Sequence, residues 1–336
     1  MKAFTYHSPT SEQAAVTLLG AGAVPLAGGS SLLNLLKERV LEPERVVNLK
    51  AIAGLARIEP AGEGLRIGAN VTLAALLESA EVRRAYPALV QAAQTVGTPQ
   101  IRNVATVGGN LCAPPACWYY VHEGFPCPRK GAAEACPAKT GENEYHAIFA
   151  TDGPCVAVHA SSLAPALVAL GARVRIAGPG GAREVEIEKF FRLPKAGLPA
   201  VALAKAEEHR ENVLAADEIV THVALGPARP RSATYVVLHK ESHDWPVGLA
   251  SASLEMQGDT VRAARVCLGA VAPVPWRAAG AEAALAGRRV TAEVAAQAAE
   301  AAVAGAAPLA QNAYKVGIAR AAVRRAILLA ATGKWM

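Results

Sequence analysis

The sequence predicts a mixed α/β (α+β) fold in two parts, and three observations predict it. Short apolar runs alternate with amphipathic helical segments from the amino terminus, giving a β-α-β opening. The Pro/Gly-rich stretch Gly226-Pro-Ala-Arg-Pro230 marks a linker. Beyond it, three segments alternate like antiparallel strands before an Ala-rich helical tail. The expected division is residues 1–226 and 227–336.

The elements follow in order. Thr10-Ser-Glu-Gln13 reads as a capping box that opens a helix to about Leu19. Val24 to Ala27 is a short apolar strand, followed by glycines and an amphipathic helix from Leu32 to about Arg39. Arg45–Asn48 is a further strand, and Leu55–Ile58 pairs with Leu65–Ala69 around Pro60-Ala-Gly62. Helices are expected at Leu73–Glu78, Val82–Val96 and Leu163–Leu170. Arg173–Ala177 and Glu218–Leu225 are strands, with a turn at Gly178-Pro-Gly-Gly181. After the linker, strands are expected at Thr234–His239, Gly248–Met256 and Val261–Gly269, the last two joined at Gly258-Asp259. Two or three Ala-rich helices close the chain, the longest at about Asn312–Ala331.

The 336 residues are 52% hydrophobic and only 18% charged, a composition that supports a large core and excludes a disordered chain. The net charge of +6 does not make a nucleic-acid surface, because Lys and Arg are scattered with no basic run interleaved with aromatics. The amino terminus lacks an apolar signal region, and the most apolar stretch, Val156–Ala172, is too short and interrupted to span a bilayer. A cytoplasmic protein is expected, where clustered cysteines favour metal over disulfide. No Ser/His/Asp triad, HExxH helix or paired-carboxylate arrangement stands out, so hydrolase chemistry ranks low.

Two glycine motifs point to an anionic ligand. Leu26-Ala27-Gly28-Gly29-Ser30-Ser31-Leu32-Leu33 lies between a strand and a helix; its glycines permit close backbone approach to a pyrophosphate, and the helix start offers N–H groups. It is not G-x-G-x-x-G, so no nicotinamide fold is implied. Thr106-Val107-Gly108-Gly109-Asn110 has the same character, with Thr106 and Asn110 able to hydrogen-bond a cofactor edge. Each motif alone reads equally as a tight turn; the pair suggests one extended ligand spanning both.

Five of the six cysteines follow directly, spaced Cys112-x4-Cys117-x9-Cys127-x8-Cys136-x18-Cys155. A compact C-x-x-C pair and a bacterial ferredoxin run are both absent. Four thiolates on such a loop suit either zinc or an iron–sulfur cluster, and spacing does not decide between them. A zinc-stabilised nucleotide-binding module without redox activity and a flavin protein with an empty cysteine loop are the competing readings. Cys267, in the strand-like VCLGAV, reads as a core residue. His122, His146 and His159 lie in or beside the loop, where each could substitute as a ligand but solvent-facing or packing roles are favoured. Lys240 heads a polar stretch, Lys240-Glu-Ser-His-Asp-Trp245, where a cation would stabilise negative charge on a reduced flavin; an exposed lysine is the alternative.

At these residues the chain resembles the FAD-binding (medium) subunit of the molybdenum hydroxylases, the xanthine dehydrogenase and carbon monoxide dehydrogenase group. The resemblance runs from MKAFTY through AGGSSLLNLLK and QIRNVATVGGNL to LGAVAPVPWRA (Leu268–Ala278) and the last helix. It implies a two-lobed FAD-binding domain of the PCMH/vanillyl-alcohol-oxidase type, then a C-terminal antiparallel sheet with helices. The cysteine loop, at ACWYY, FPCPRKG, EACPA and GPCVAVHASSLAPAL, resembles the insertion in the flavin subunits of hydroxybenzoyl-CoA reductase and periplasmic aldehyde oxidoreductase. That likeness implies a [4Fe–4S] cluster on Cys117, Cys127, Cys136 and Cys155, with Cys112 outside the set. FAD contacts are implied at residues 26–33 and 106–110, and at Val96, Ser162, Val220 and Lys240. The family's usual Asp is replaced by Ser162, which keeps a hydrogen bond but loses the charge.

The implied function is electron transfer within a heteromeric enzyme. A large molybdopterin subunit and a small subunit with two [2Fe–2S] clusters are the implied partners. The FAD here would pass electrons to an external acceptor, and the extra cluster would offer a path to a one-electron partner such as ferredoxin. Export with a signal-bearing partner would place the complex in the periplasm instead.

Overall fold

A computed structural model describes residues 1–194, 211–240 and 243–333. Among the described residues, three sheets organise the fold. The first is parallel, ordered β1-β3-β2 from β1 (Thr5–His7), β2 (Ala23–Leu26) and β3 (Arg45–Asn48). Its helix Glu12–Leu18 starts at Ser11, whose Oγ accepts from Ala14 N at 3.2 Å, so the cap sits one residue beyond the expected Thr10. Ala15 and Val16 bury against Val47, Leu49 and Ile52, and against Ala177 and Ile219 of the second sheet.

The second sheet has the order β4-β5-β8-β6-β7, from β4 (Ile58–Ala61), β5 (Gly64–Gly68), β6 (Arg173–Gly178), β7 (Gly181–Glu186) and β8 (Ile219–Leu225). Every pairing in it is antiparallel, so the β-α-β grammar of the opening holds for the first sheet alone. The β4–β5 hairpin starts at Ile58; Leu55 lies in a 3-10 turn, Ala53–Ala56, with its side chain in the core beneath the first sheet. The single helix expected over 82–96 is two helices, Ala80–Ala85 and Pro87–Gln94, because Pro87 has no N–H to continue the first and instead opens the second. Leu73, Leu76, Leu89, Leu163 and Leu167 from the helices fill the space over Ile67, Val174 and Val223.

The third sheet, β12-β11-β10-β9, is antiparallel: β9 (Ser232–Leu238), β10 (Pro246–Gln257), β11 (Thr260–Gly269) and β12 (Trp276–Arg277). Gly258, at φ +57°, makes the tight β10–β11 turn. Helices Ala279–Leu285 and Tyr314–Thr332 pack on it through alanines, which let helix and sheet approach closely, and Ala292–Val303 packs against those two helices. β9 is tied to the helix Pro87–Gln94: Thr234 Oγ1 donates to Ala88 O at 2.8 Å, and Thr234 N donates to Gln91 Oε1 at 2.7 Å.

The cysteine-bearing segment is moored to this C-terminal part. Ile148 and Phe149 join its core, and Phe149 stacks on Trp276 with ring centroids 4.9 Å apart. Lys315 is 1% exposed and donates from Nζ to Tyr145 O, His146 O and Ala270 O at 2.7–3.0 Å. Burial lowers its pKa to about 7, while the three carbonyls occupy all three ammonium protons and hold the charged form.

Candidate functional site

The two glycine motifs meet. A Cβ on Gly28 would lie 2.1 Å from Val104 O, so this glycine is demanded by backbone packing between the motifs. Gly29 sits at φ +76°, a left-handed conformation that suits glycine. The nearest atoms to a Cβ on Gly109 would be Thr106 Oγ1 and, from the first motif, Ala27 Cβ at 3.7 Å. The second motif is not an open loop. Thr106 caps the short helix Val107–Leu111, accepting from Gly109 N at 3.1 Å, and Val107 N and Gly108 N donate to Val71 O and Ala69 O.

Together the motifs wall a cavity of about 350 Å³. Ala27, Gly28, Gly29, Ser30, Ser31, Leu32, Thr106, Gly108, Gly109 and Val220 line it, joined by Asn70, Cys112, Tyr120 and Asn212. Ser31 stands at the N-cap of helix Leu32–Lys37 without a side-chain capping bond, so its hydroxyl is not spent on the helix. Seven expected contacts lie outside it: Ser162 and Lys240 line a second cavity, Asn110 lines neither and accepts from Ser161 Oγ, and the other four lie elsewhere. Leu33 is exposed, Val107 is buried in the core, Val96 packs against the core's edge, and Leu26 packs beside Gly29.

A second cavity, about 540 Å³, lies beyond Asn110. Ser162 and Lys240 line it together with Cys117, Trp118, Tyr145, His146, His159, His239, Asp244 and Trp245. Of the polar stretch after Lys240, Glu241 and Ser242 lie outside the described residues. Ser161, in the wall of this cavity, donates from Oγ to Asn110 Oδ1 at 2.6 Å and accepts from Ala164 N at 3.0 Å. His159 Nδ1 accepts from Ser161 N at 3.2 Å, which puts the ring proton on Nε2. Burial pushes the His159 pKa down to about 3, and its buried Nε2 has no hydrogen-bond partner.

The four expected cluster cysteines lie near one another. Cys155 and Cys127 lie close enough to Cys117 and to Cys136 to add to the rise of both thiols. Burial pushes the Cys117 thiol to about 12 and raises Cys127 and Cys136, so a bare thiolate is unfavourable and a bound metal would supply the compensating charge. Among the described residues no three His, Cys, Asp or Glu converge to hold a single ion. Cys112 stands apart, in the wall of the first cavity, with burial and then Glu211 raising its thiol to about 12. Cys267 is fully buried in the main core.

Several partners were invisible in the sequence. His146 Nε2 lies 3.2 Å from Cys117 Sγ, burial lowers its pKa to about 4, and its Nδ1 is buried without a partner. Arg129, inside the cysteine loop, pairs with Glu211 and lies over the Tyr120 ring, its guanidinium carbon 5.6 Å from the centroid. These contacts join residues 29 and 82 apart, beyond the reach of any spacing rule.

Residues 2–227 match the family described as the FAD binding domain in molybdopterin dehydrogenase, and residues 233–330 match the CO dehydrogenase flavoprotein C-terminal domain. The aldehyde oxidoreductase FAD-binding subunit PaoB of Escherichia coli K12 is 32% identical over 289 residues, covering 85% of this chain and 86% of that protein. The carbon monoxide dehydrogenase medium chain of Hydrogenophaga pseudoflava is 29% identical over 332 residues, covering 96% of each. The solved quinoline 2-oxidoreductase of Pseudomonas putida 86 superposes with a TM-score of 0.75 at 26% identity, covering 98% of each chain.

Proposed function

The chain belongs to the family of FAD-binding medium subunits of the molybdenum hydroxylases, and from that premise we propose that it is an electron-transfer subunit carrying a [4Fe–4S] cluster beside its FAD. FAD binding comes with the family, as does an oxidoreductase role of the aldehyde oxidoreductase, carbon monoxide dehydrogenase and xanthine dehydrogenase type. We take residues 1–226 as the FAD-binding part and 227–336 as the flavoprotein C-terminal part. A large molybdopterin subunit and a small [2Fe–2S] subunit complete the proposed complex. Among the described residues no helix is long and apolar enough to cross a membrane.

The residues fit both groups. Gly29, Ser30 and Ser31 would hold the FAD diphosphate through backbone and hydroxyl donors, while Gly108 and Gly109, lacking side chains, would leave room for it. Ser162 and Lys240 would face the flavin in the adjoining cavity, with the unpartnered His159 Nε2–H a donor in its wall. Cys117, Cys127, Cys136 and Cys155 would ligate the cluster. Each thiolate of such a cluster binds its own iron, and four cysteines on one loop supply the four sulfurs it needs. When bound, FAD exchanges electrons singly or in pairs and the cluster adds a one-electron station. The protein's share is to orient the two, exclude water and set their potentials.

One observation carries the reading: Cys117 lies in the wall of the cavity that also contains Ser162 and Lys240, the residues proposed to face the flavin. Cofactor analysis after anaerobic purification tests it, with about four irons and one FAD expected per chain. Cys127→Ser should lose most of the iron and keep FAD, whereas Cys112→Ser, outside the ligand set, should keep its iron. Iron-free wild-type protein, or full iron in Cys127→Ser, overturns the cluster assignment.

A further inference from the structure

We infer that His146 couples the iron–sulfur site to the flavin cavity, donating from Nε2 to Cys117 Sγ while its ring forms part of the cavity wall. The inference rests on the proposal that Cys117 is a cluster ligand, and it gives His146 a positioning and potential-setting role. Three observations carry it. Nε2 is 3.2 Å from Cys117 Sγ, within hydrogen-bond reach of a sulfur. The same imidazole lines the cavity with Ser162 and Lys240, so it belongs to both sites. It is 3% exposed, so its bond to the sulfur is shielded from competing water.

The surroundings hold the ring in place. Trp118 packs edge-on at 5.2 Å between centroids, and Tyr119 lies at 6.2 Å. The main chain is fixed independently: His146 N donates to Asn143 O at 3.0 Å, while His146 O accepts from Lys315 Nζ at 2.9 Å and Asn312 Nδ2 at 3.1 Å. Both donors to that carbonyl come from the C-terminal part of the chain. The ring is therefore oriented by packing and backbone bonds and does not depend on the sulfur contact for its position.

The chemistry follows from the hydrogen bond. A thiolate bound to iron is an acceptor only, so the ring proton must sit on Nε2 and Nδ1 is left as a lone acceptor in the wall. An N–H donated to a ligand sulfur stabilises the more negative, reduced state of a cluster and raises its potential. A neutral ring does this without a net charge that would also act on the Lys240 side of the cavity.

The test uses the intact complex carrying His146→Phe, His146→Asn or His146→Gln, with iron content and EPR-monitored redox titration as readouts. Phe lacks the donor, Asn is too short to place its amide at the Nε2 position, and Gln reaches it. The cluster potential should fall in the Phe and Asn variants by a tenfold change in the one-electron equilibrium, about 59 mV. Gln should restore most of it, and iron content should match wild type in all three. Should Phe fail to fold, the Asn–Gln contrast decides. Equal potentials in iron-loaded Asn, Gln and wild-type complexes overturn this inference alone; an iron-free wild-type complex overturns it together with the cluster assignment.

Discussion

Replacing Gly28 by alanine should separate the two glycine motifs and weaken FAD binding. The added methyl would lie 2.1 Å from Val104 O, 2.8 Å from Val104 C and 2.9 Å from Ala105 Cα, all backbone atoms that cannot rotate aside. Contacts of a Cβ closer than 3.0 Å are essentially never found, so the two segments must part by 3.0 − 2.1, or about 0.9 Å. The 104–107 side is fixed: Ala105 N donates to Ile101 O, Leu73 N to Ala105 O, and Val107 N to Val71 O, all within 3.0 Å. The displacement therefore falls on residues 27–31, the wall of the first cavity. Overpacking of this kind costs about 1–3 kcal/mol, and at the middle of that range the FAD dissociation constant rises by roughly tenfold or more. Fluorescence titration of the apoprotein with FAD, paired with urea unfolding, measures both effects. Gly54→Ala is the control, because no atom lies within 4 Å of its Cβ position; it should change stability by less than about 0.5 kcal/mol. Wild-type FAD affinity and an unchanged urea midpoint in Gly28→Ala would refute the reasoning.

Acid should destabilise the fold through its buried histidines. With a folded pKa near 3 against the ordinary 6.5, His159 binds fewer protons folded than unfolded, so stability is complete above pH 6.5 and falls as pH drops through that window. The loss reaches about 2–3 kcal/mol by pH 4.5, His146 adding in the same direction, and urea midpoints for His159→Gln should show a shallower slope; an identical slope rules His159 out as the source. Lys315→Met removes the ammonium from Tyr145 O and Ala270 O, while His146 O keeps Asn312. Relief of the buried charge offsets part of that cost, and a net loss of about 2 kcal/mol is expected in urea unfolding; a variant as stable as wild type contradicts it.

What could be read from sequence follows the range of the forces involved. Arg45–Asn48, the helix Leu163–Ala169 and the β10–β11 turn at Gly258 were legible because periodicity and turn chemistry act over a few residues. β7 was missed because Gly181–Glu186 is an edge strand exposed on both faces, where no buried side imposes alternation. Pro87 was legible in principle, since its missing N–H must interrupt a helix, and only the strength of the surrounding apolar run hid the break. The two glycine motifs drew attention as candidate ligand loops, yet the direction of Gly28 toward Val104 O, not toward the ligand space, needed coordinates. The same holds more strongly for the cysteine loop. Its composition announced thiol chemistry, but the contacts that give the thiols a setting come from His146, from Lys315 and from Glu211 through Arg129. A cofactor site of this kind is specified in two layers: ligand-bearing residues write a local pattern, while the groups that hold and tune them are recruited from wherever the fold brings a suitable atom. The second layer is where variants that keep the cofactor but change its potential should be found.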